Sequence, residues 1–207
     1  MSMDQVTEIT RRGGVATVKM LSGEVLRVPS ALYLERRLRT GEKMDPDAYR
    51  LFMRQRGYPH ALEAAMKYLA LRERSEKEVA ARLRRSCYDE HTIARVLETL
   101  SLHGLVSDAR FAGEWVESRK RKYGRGRIAR ELRQKGVAEA EARSALEALP
   151  EEEEYRGALA LAGKMARKFK GDPKKIAQAL VRRGYGWGLA RKAAQAAVKS
   201  AAPGAEW

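Results

Sequence analysis

Apolar and polar residues alternate near the start of the chain. Val15, Thr17 and Lys19 alternate with Ala16 and Val18, and a second extended run follows through residues 25–28. An alternation with a period of two is typical of a β-strand with one buried face. Because Ser22-Gly23 separates the two runs, the pattern predicts a β-hairpin with a short glycine turn.

Two helices are predicted to follow the hairpin. Ser30 can cap the first helix, which is expected to stop near Gly41. Asp45-Pro46 opens the second, since Asp suits the N-cap and Pro the first helical position, and Gly57 is predicted to end it. Residues 1–58 are therefore predicted to form a small mixed module of a hairpin and helices.

From residue 59 onward the apolar spacing is helical, and it repeats. Three apolar pairs with i, i+4 spacing recur at intervals of 49 and 48 residues: Val79 and Leu83, Ile128 and Leu132, Ile176 and Leu180. Four residues after each pair stands Cys87, Gly136 or Gly184, followed each time by an apolar residue. Glycine just past a helix end adopts the left-handed conformation easily, and the next apolar residue packs back on the last turn. The same helix-stop signal thus occurs three times.

The starts of these middle helices also agree in kind. Ser75 with Glu78 forms a capping box, Asp172-Pro173 is a cap followed by a first-turn proline, and Gly124 or Gly126 must serve in the middle copy. With one helix before and one after each middle helix, the chain is predicted to be mainly α, a tandem array of three three-helix repeats at 59–106, 107–150 and 151–202. A helical bundle whose spacing recurs by chance is the alternative, which the aligned stop signals disfavour.

The net charge of the chain indicates what kind of partner it binds. The chain has 42 Lys and Arg against 27 Asp and Glu, a formal charge of +15. Such an excess indicates a polyanionic partner, with nucleic acid ahead of membrane surfaces and acidic proteins. No apolar stretch reaches the roughly 20 residues of a membrane span, and Met1–Arg12 lacks the apolar core of a signal peptide, so we expect a cytoplasmic protein. Cys87 is the single cysteine, which agrees with a reducing compartment.

The basic residues concentrate in two stretches. The first has one acid, Glu131, and nine cations: Arg119, Lys120, Arg121, Lys122, Arg125, Arg127, Arg130, Arg133 and Lys135. Since Tyr123, Gly124 and Gly126 interrupt it, we expect an exposed, adaptable loop whose charges are not held in buried pairs and which contacts phosphates. A solvated helix face is the alternative. The second stretch, which could extend the same surface, holds Lys164, Arg167, Lys168, Lys170, Lys174, Lys175, Arg182 and Arg183.

Signals for catalysis or metal binding are weak. Cys87 and His91 have i, i+4 spacing, but a closed zinc site needs four ligands. The chain has no Gly-Lys-Ser or Gly-Lys-Thr loop for nucleotide phosphates and no acidic cluster for magnesium. Glu151–Glu154, at a helix start, is explained by the helix dipole. We expect a binding protein without catalytic residues, metal or cofactor.

One segment carries a resemblance to a known family. Its series is Arg110-Phe-Ala112, Trp115-Val-x-x-Arg119, a glycine-bearing basic loop, and Leu132-x-x-Lys-Gly136. This series resembles the middle repeat of RecX proteins. The resemblance extends from about Leu62 to Ala197, and the amino-terminal module is similar to an extension that many RecX proteins carry. Phe111, Ala112, Trp115 and Val116 lie on one apolar helix face, for which we expect a structural role.

The resemblance implies fold, partner and activity together. RecX-like proteins are curved repeat arrays that lie in the groove of the RecA filament and restrain its growth, ATP hydrolysis and strand exchange. It implies a cytoplasmic monomer that meets RecA and mainly single-stranded DNA and acts in recombination, DNA repair and the SOS response. The implied contact residues are Arg119, Lys120, Arg121, Lys122, Arg125, Arg127, Arg130, Lys164, Arg167, Lys168, Arg182 and Arg183. From the residues alone, a stand-alone sequence-tolerant nucleic-acid binder stays open, followed by an enzyme such as a structure-specific nuclease.

Overall fold

The computed structural model describes residues 3–201, with strands first and helices after them. The chain divides into two units, Met1–Ser107 and Asp108–Trp207. The first unit contains β1 (Asp4–Arg12), β2 (Val15–Met20), β3 (Val25–Pro29), α1 (Ser30–Glu35), β4 (Lys43–Met44), α2 (Pro46–Leu69), α3 (Glu76–Arg85) and α4 (Glu90–Leu102). The second contains α5 (Asp108–Arg119), α6 (Arg125–Gln134), α7 (Glu139–Glu147), α8 (Glu151–Ala166), α9 (Pro173–Arg182) and α10 (Trp187–Ala201). Residue 202, the predicted end of the third repeat, lies outside the described residues.

The predicted hairpin is the β2–β3 pair of a four-stranded antiparallel sheet with the order β3-β2-β1-β4. Its turn has Gly23 at a φ of 90°, which confirms the predicted turn at Ser22-Gly23. Strand β1 was not predicted, because an irregularity between Val6 and Glu8 interrupts its alternation. The signal that could have revealed it is Gly13-Gly14, since both glycines have positive φ in the tight β1–β2 turn.

Helix α1 is shorter than predicted and stops at Glu35, well before Gly41. Its N-cap position is Pro29, so Ser30 is the first helical residue and not the cap. Two tyrosine hydroxyls hold the loop after α1. The Tyr33 hydroxyl donates to the Leu38 carbonyl at 3.1 Å, and the Tyr49 hydroxyl donates to the Arg36 carbonyl at 2.7 Å. These hydrogen bonds to loop carbonyls replace further helical turns.

Helix α2 begins as predicted, because the Asp45 side chain accepts from the backbone N–H of Asp47 at 2.9 Å. The predicted helix end at Gly57 is wrong, since α2 continues to Leu69. Gly57 is buried, and a Cβ built on it would lie 3.6 Å from Thr92 Oγ1 of α4. Packing of α2 against α4 therefore outweighs the local preference of Gly57 to break the helix. The division of the chain at residue 58 into folding units stays a prediction.

The three predicted helix-stop signals are confirmed, with nearly the same geometry. Cys87, Gly136 and Gly184 have φ values of 65°, 88° and 92°. The N–H of the next residue, Tyr88, Val137 or Tyr185, donates to the carbonyl five residues back at 3.2 Å each time. This is the hydrogen-bond pattern of the Schellman motif. Three copies of it confirm the three-helix repeats.

Each repeat has a core centred on its apolar pair. In the first unit the sheet and α2–α4 share one cluster around Val18, Tyr49 and Leu83. In the second unit α5–α7 enclose Phe111, Ile128 and Leu132, while α8–α10 enclose another cluster. That last cluster is rich in small residues: Ala158, Ala162, Ala177, Ala190, Ala193, Ala194 and Ala197. Small side chains let these helices approach closely, so the thin apolar pattern of α10 still buries a full face.

Candidate nucleic-acid interface

The glycine-bearing loop of the middle repeat lies against the end of helix α9. The N–H of Gly124 donates to the Arg183 carbonyl at 3.0 Å, and the N–H of Gly126 donates to the Gly184 carbonyl at 3.0 Å. The first N–H groups of a helix have no partner within the helix. Two of those at the start of α6 are therefore satisfied by the carbonyls of the two residues that follow α9.

Glycine is required here by close approach. A Cβ on Gly124 would lie 2.5 Å from the Gly184 carbonyl oxygen, and one on Gly126 would lie 3.1 Å from the same atom. A Cβ on Gly184 would lie 2.5 Å from Cβ of Arg127. We call this contact of residues 124–127 with residues 183–185 the glycine junction. It holds the second and third repeats in one fixed arrangement.

Partly buried ion pairs reinforce the glycine junction. The Arg125 backbone N–H donates to Glu154 Oε1 at 3.0 Å, and Arg125 Nε lies 3.0 Å from Glu154 Oε2. The Glu154 side chain is only 8% exposed. Nearby, Lys120 Nζ lies 2.8 Å from Glu117 Oε2 and 2.6 Å from Glu153 Oε2. Hydrogen bonds to Glu117 and then to Glu153 raise the pKa of Lys120.

Two expectations from the sequence need correction at this place. The loop is exposed at Arg121 and Lys122, but Gly124 is buried and the charges of the loop are not all free, because Arg125 and Lys120 bind glutamates. The acidic run at the start of α8 does more than complement the helix dipole, since Glu153 and Glu154 are those glutamates. The partners lie far apart in sequence, so local pattern could not reveal them.

Glu131 organises a second group of paired cations. Arg119 Nε lies 3.3 Å from Glu131 Oε2, and Arg127 Nε lies 3.1 Å from Oε1. Trp115 donates its indole N–H to Glu131 at 3.1 Å and stacks on Phe111 with ring centroids 5.5 Å apart. Trp115 is partly buried, so it lies at the edge of the core of the middle repeat.

The twelve expected contact residues therefore fall into two groups. Five are half-buried and bonded to protein groups: Arg119, Lys120, Arg125, Arg127 and Arg183. Seven are exposed and have no ion pair with any other described residue: Arg121, Lys122, Arg130, Lys164, Arg167, Lys168 and Arg182. The structure thus separates charges that hold the fold from charges that face solvent.

The two basic stretches meet in a groove between the end of α5 and helix α8. This basic groove is lined by Lys120, Arg121, Glu153, Arg156, Gly157, Ala160 and Lys164. A Cβ on Gly157 would lie 3.0 Å from the Lys120 carbonyl oxygen, which shows how closely the two elements pack. Arg183 Nη1 also donates to the carbonyl of Lys122, next to the groove residue Arg121, at 3.4 Å. Arg156 was missed from the sequence because it follows four glutamates.

Other kinds of site are not evident in the described part of the chain. Within residues 3–201, no three His, Cys, Asp or Glu side chains come together in a way that could hold a metal ion. None of the described helices is both long and apolar enough to span a membrane.

Comparison with known proteins gives consistent matches. The model of the first three-helix domain of RecX matches residues 61–100, and that of the second matches residues 107–146. Crystal structures that share this fold include one of regulatory protein RecX, with a TM-score of 0.62 at 22% identity over 90% of this chain and 96% of the other. Another is RecX from Lactobacillus salivarius, with a TM-score of 0.62 at 24% identity over 68% of this chain and 96% of the other.

Curated relatives named regulatory protein RecX cover most of the chain. The protein of Prosthecochloris aestuarii is 37% identical over 131 residues, which is 60% of this chain and 85% of the relative. That of Levilactobacillus brevis is 29% identical over 93% of this chain and 75% of the relative. With two family models on consecutive repeats, the repeated helix-stop geometry and these relatives, the chain belongs to the RecX family of regulatory proteins.

Proposed function

We propose that this protein binds RecA filaments on DNA and restrains their growth, ATP hydrolysis and strand exchange. It acts as a monomeric cytoplasmic binding protein without catalysis, in recombination, DNA repair and the SOS response. Family membership supports the partner, and the charge of +15 supports a polyanionic component of the target.

The observation that carries the proposal is the glycine junction with the exposed cations around it. Lys122 and Arg121 precede the junction in sequence, and Lys164 lies across the basic groove from Arg121. Because the junction is held by backbone hydrogen bonds and the Arg125–Glu154 pair, the backbone positions of these cations are fixed relative to one another. A fixed row of charges binds a regular polyanion with little loss of conformational freedom.

Within this proposal the two groups of cations have different roles. The seven exposed cations defined above contact phosphates or acidic RecA side chains. The bonded residues Arg119, Lys120, Arg125, Arg127 and Arg183 position the interface and add to its electrostatic field.

The direct test measures ATP hydrolysis by RecA on single-stranded DNA while the protein is added in increasing amounts. We expect hydrolysis to fall with the wild type, and to fall much less with Arg121→Glu/Lys122→Glu at equal concentration. Lys77→Glu/Arg82→Glu, on α3 of the first unit, is the matched control for net charge. Unchanged hydrolysis with the wild type would contradict the proposal.

The runner-up is a stand-alone, sequence-tolerant nucleic-acid binder, which the same charge distribution favours. The two functions are separated by measuring binding to naked single-stranded DNA and to RecA–DNA filaments under one salt condition. A RecA regulator binds the filament more tightly than the DNA alone. A stand-alone binder shows no preference and affects RecA only by competing for DNA.

A further inference from the structure

Residues 173–201 carry positive charge without any acid. Residues 173–201 contain no Asp or Glu and seven cations: Lys174, Lys175, Arg182, Arg183, Arg191, Lys192 and Lys199. Among the described contacts, only Lys175 has an ion pair, 3.6 Å from Asp172. In the stretch at 119–135, by contrast, Glu131, Glu153 and Glu154 neutralise several cations. The segment itself therefore supplies no acid to pair with its cations, and Glu151 and Glu152 of α8 line a pocket together with Gly188 and Lys192.

An exposed tryptophan lies within this segment. Trp187 is the first residue of α10 and is 56% exposed, although tryptophan is buried on average. A Cβ on Gly186 or on Gly188 would meet nothing within 4 Å, so the chain on both sides of Trp187 borders open space. No ring or cation of the described residues stacks on its indole, whereas Trp115 contacts Phe111 and Arg119. The Trp187 ring is free to accept a planar ligand.

One cation of α10 lies on the same helix face as Trp187. Arg191 follows Trp187 by four residues, and both residues are exposed. Positions four apart lie on one face of a helix, about 6 Å apart along its axis. The exposed face of α10 therefore presents an aromatic ring with a positive charge one turn further along.

We propose that Trp187 stacks on an unpaired base of single-stranded nucleic acid, while Arg191 contacts a neighbouring phosphate. The inference rests on the proposed function in taking nucleic acid as a ligand, and it adds a site that the basic loop does not contain. Stacking on aromatic side chains is how proteins hold single strands without reading sequence.

The surroundings of Trp187 favour a nucleic acid over a protein partner. Tryptophans that anchor protein interfaces sit in pockets that exclude water and are depleted of charge. Trp187 is instead flanked by two glycines, with Arg191 one helical turn away and no acid in residues 173–201. This combination of a free ring and unpaired cations complements a base and its phosphates.

The test compares full-length wild type with Trp187→Ala and Trp187→Phe in binding two oligonucleotides of equal length. One is oligodeoxythymidylate, and the other has the same backbone with abasic sites. Trp187→Ala should weaken thymidylate binding about tenfold, from the usual value of one stacked base. Phenylalanine should retain most of the affinity, because its ring still stacks. All three proteins should bind the abasic strand alike, because phosphate contacts remain.

Val181→Ala is the matched control, since Val181 is an exposed apolar residue, 39% accessible, on neighbouring helix α9. It should leave both affinities unchanged. Thermal melting of each variant checks folding, and a variant with only Trp187 retained, made by Trp115→Phe and Trp207→Phe, should lose fluorescence on binding thymidylate but not the abasic strand.

Three results would overturn the inference and leave the proposed function standing. One is wild-type affinity of Trp187→Ala for thymidylate, and another is an equal loss on both strands. The third is normal DNA binding combined with loss of the effect on RecA, which would make Trp187 a protein contact. A wild type that binds neither strand also overturns the inference, while its effect on RecA hydrolysis decides the proposed function separately.

Discussion

At the scale of single residues, Cys87 departs from the pattern of its repeat. It occupies the left-handed position that Gly136 and Gly184 occupy in the other copies, with a φ of 65°. A side chain in this conformation costs about 1–2 kcal/mol relative to glycine. The motif nevertheless forms, and its defining hydrogen bond from the Tyr88 N–H to the Leu83 carbonyl is 3.2 Å long.

Cys87→Gly should therefore raise the free energy of unfolding by about 0.5–1 kcal/mol, because relief of strain exceeds the added entropy of the unfolded chain. Urea denaturation measures the change. Ser86→Gly, one residue earlier at a φ of −84°, is the control and should lower stability. An equal loss in both variants would show that the Cys87 side chain contributes more than its backbone strain costs.

At the scale of elements, helix α6 begins differently from its counterparts. Ser75 and Asp172 cap α3 and α9 with their own side chains. At the start of α6, Gly124 has no side chain that could cap the helix. The first N–H groups of α6 donate instead to the carbonyls that follow α9 and to Glu154. The absence of a local cap was thus a sign of a partner from another repeat.

Gly124→Ala should lower the free energy of unfolding by about 2 kcal/mol or more, in the range of overpacked sites. Its φ of −80° suits alanine, so the effect would come from the approach to Gly184 and not from backbone strain. Gly163→Ala, in α8 with nothing within 4 Å of the added Cβ, should stabilise the protein slightly. Denaturant melts that place both variants at wild-type stability would contradict the glycine junction.

The Lys120–Glu153 pair between α5 and α8 should make stability depend on pH. A hydrogen bond from Lys120 lowers the pKa of Glu153 below its ordinary value of 4.5. A lowered pKa in the folded state stabilises the protein above the unfolded pKa, and this contribution is lost as pH falls through the folded pKa. Glu153→Gln should therefore be less stable than the wild type at neutral pH, with a difference that shrinks below pH 4.5.

Urea melts of both proteins from about pH 6 to about pH 3 would follow this difference. Glu152→Gln, at an exposed neighbouring position, is the control. A stability difference between wild type and Glu153→Gln that stayed constant over the whole range would show that the ion pair does not contribute.

At the scale of the whole molecule, the cations differ in whether they form ion pairs. Several cations of the second unit pair with Glu131, Glu153 and Glu154, whereas Arg121 and Lys122 are exposed and have no ion pair with a described residue. Arg121→Glu/Lys122→Glu should reduce affinity for single-stranded DNA and make its salt dependence shallower, by about 0.7 in log–log slope per lost phosphate contact. Thermal stability should change little, because exposed charges contribute at most about 1 kcal/mol each.

Arg11→Glu/Arg12→Glu, at the exposed end of β1, carries the same change in net charge and is the control for that prediction. Its affinity and salt slope should stay closer to those of the wild type. Equal losses in both double variants would mean that overall charge, and no particular surface, governs binding.

The sequence by itself determined what depends on neighbours along the chain. Helical periodicity, the caps Ser75 and Asp172, and the stop signals at Cys87, Gly136 and Gly184 are local, so the three repeats and the family could be predicted from them. The turn at Gly23 was predicted for the same reason.

Only the tertiary structure decided which cations form ion pairs and which glycines end a helix or a loop. Gly57 and Gly124 carry a local signal for a break or a loose loop, but packing against Thr92 and Gly184 places them in a helix and in a tight junction. Arg125 carries no sign of its pairing with Glu154, 29 residues away. Ion pairing and close packing depend on distances in space, which a one-dimensional pattern does not contain. That is why the sequence predicted the repeats and the basic stretches, while the structure assigned each cation to the fold or to the surface.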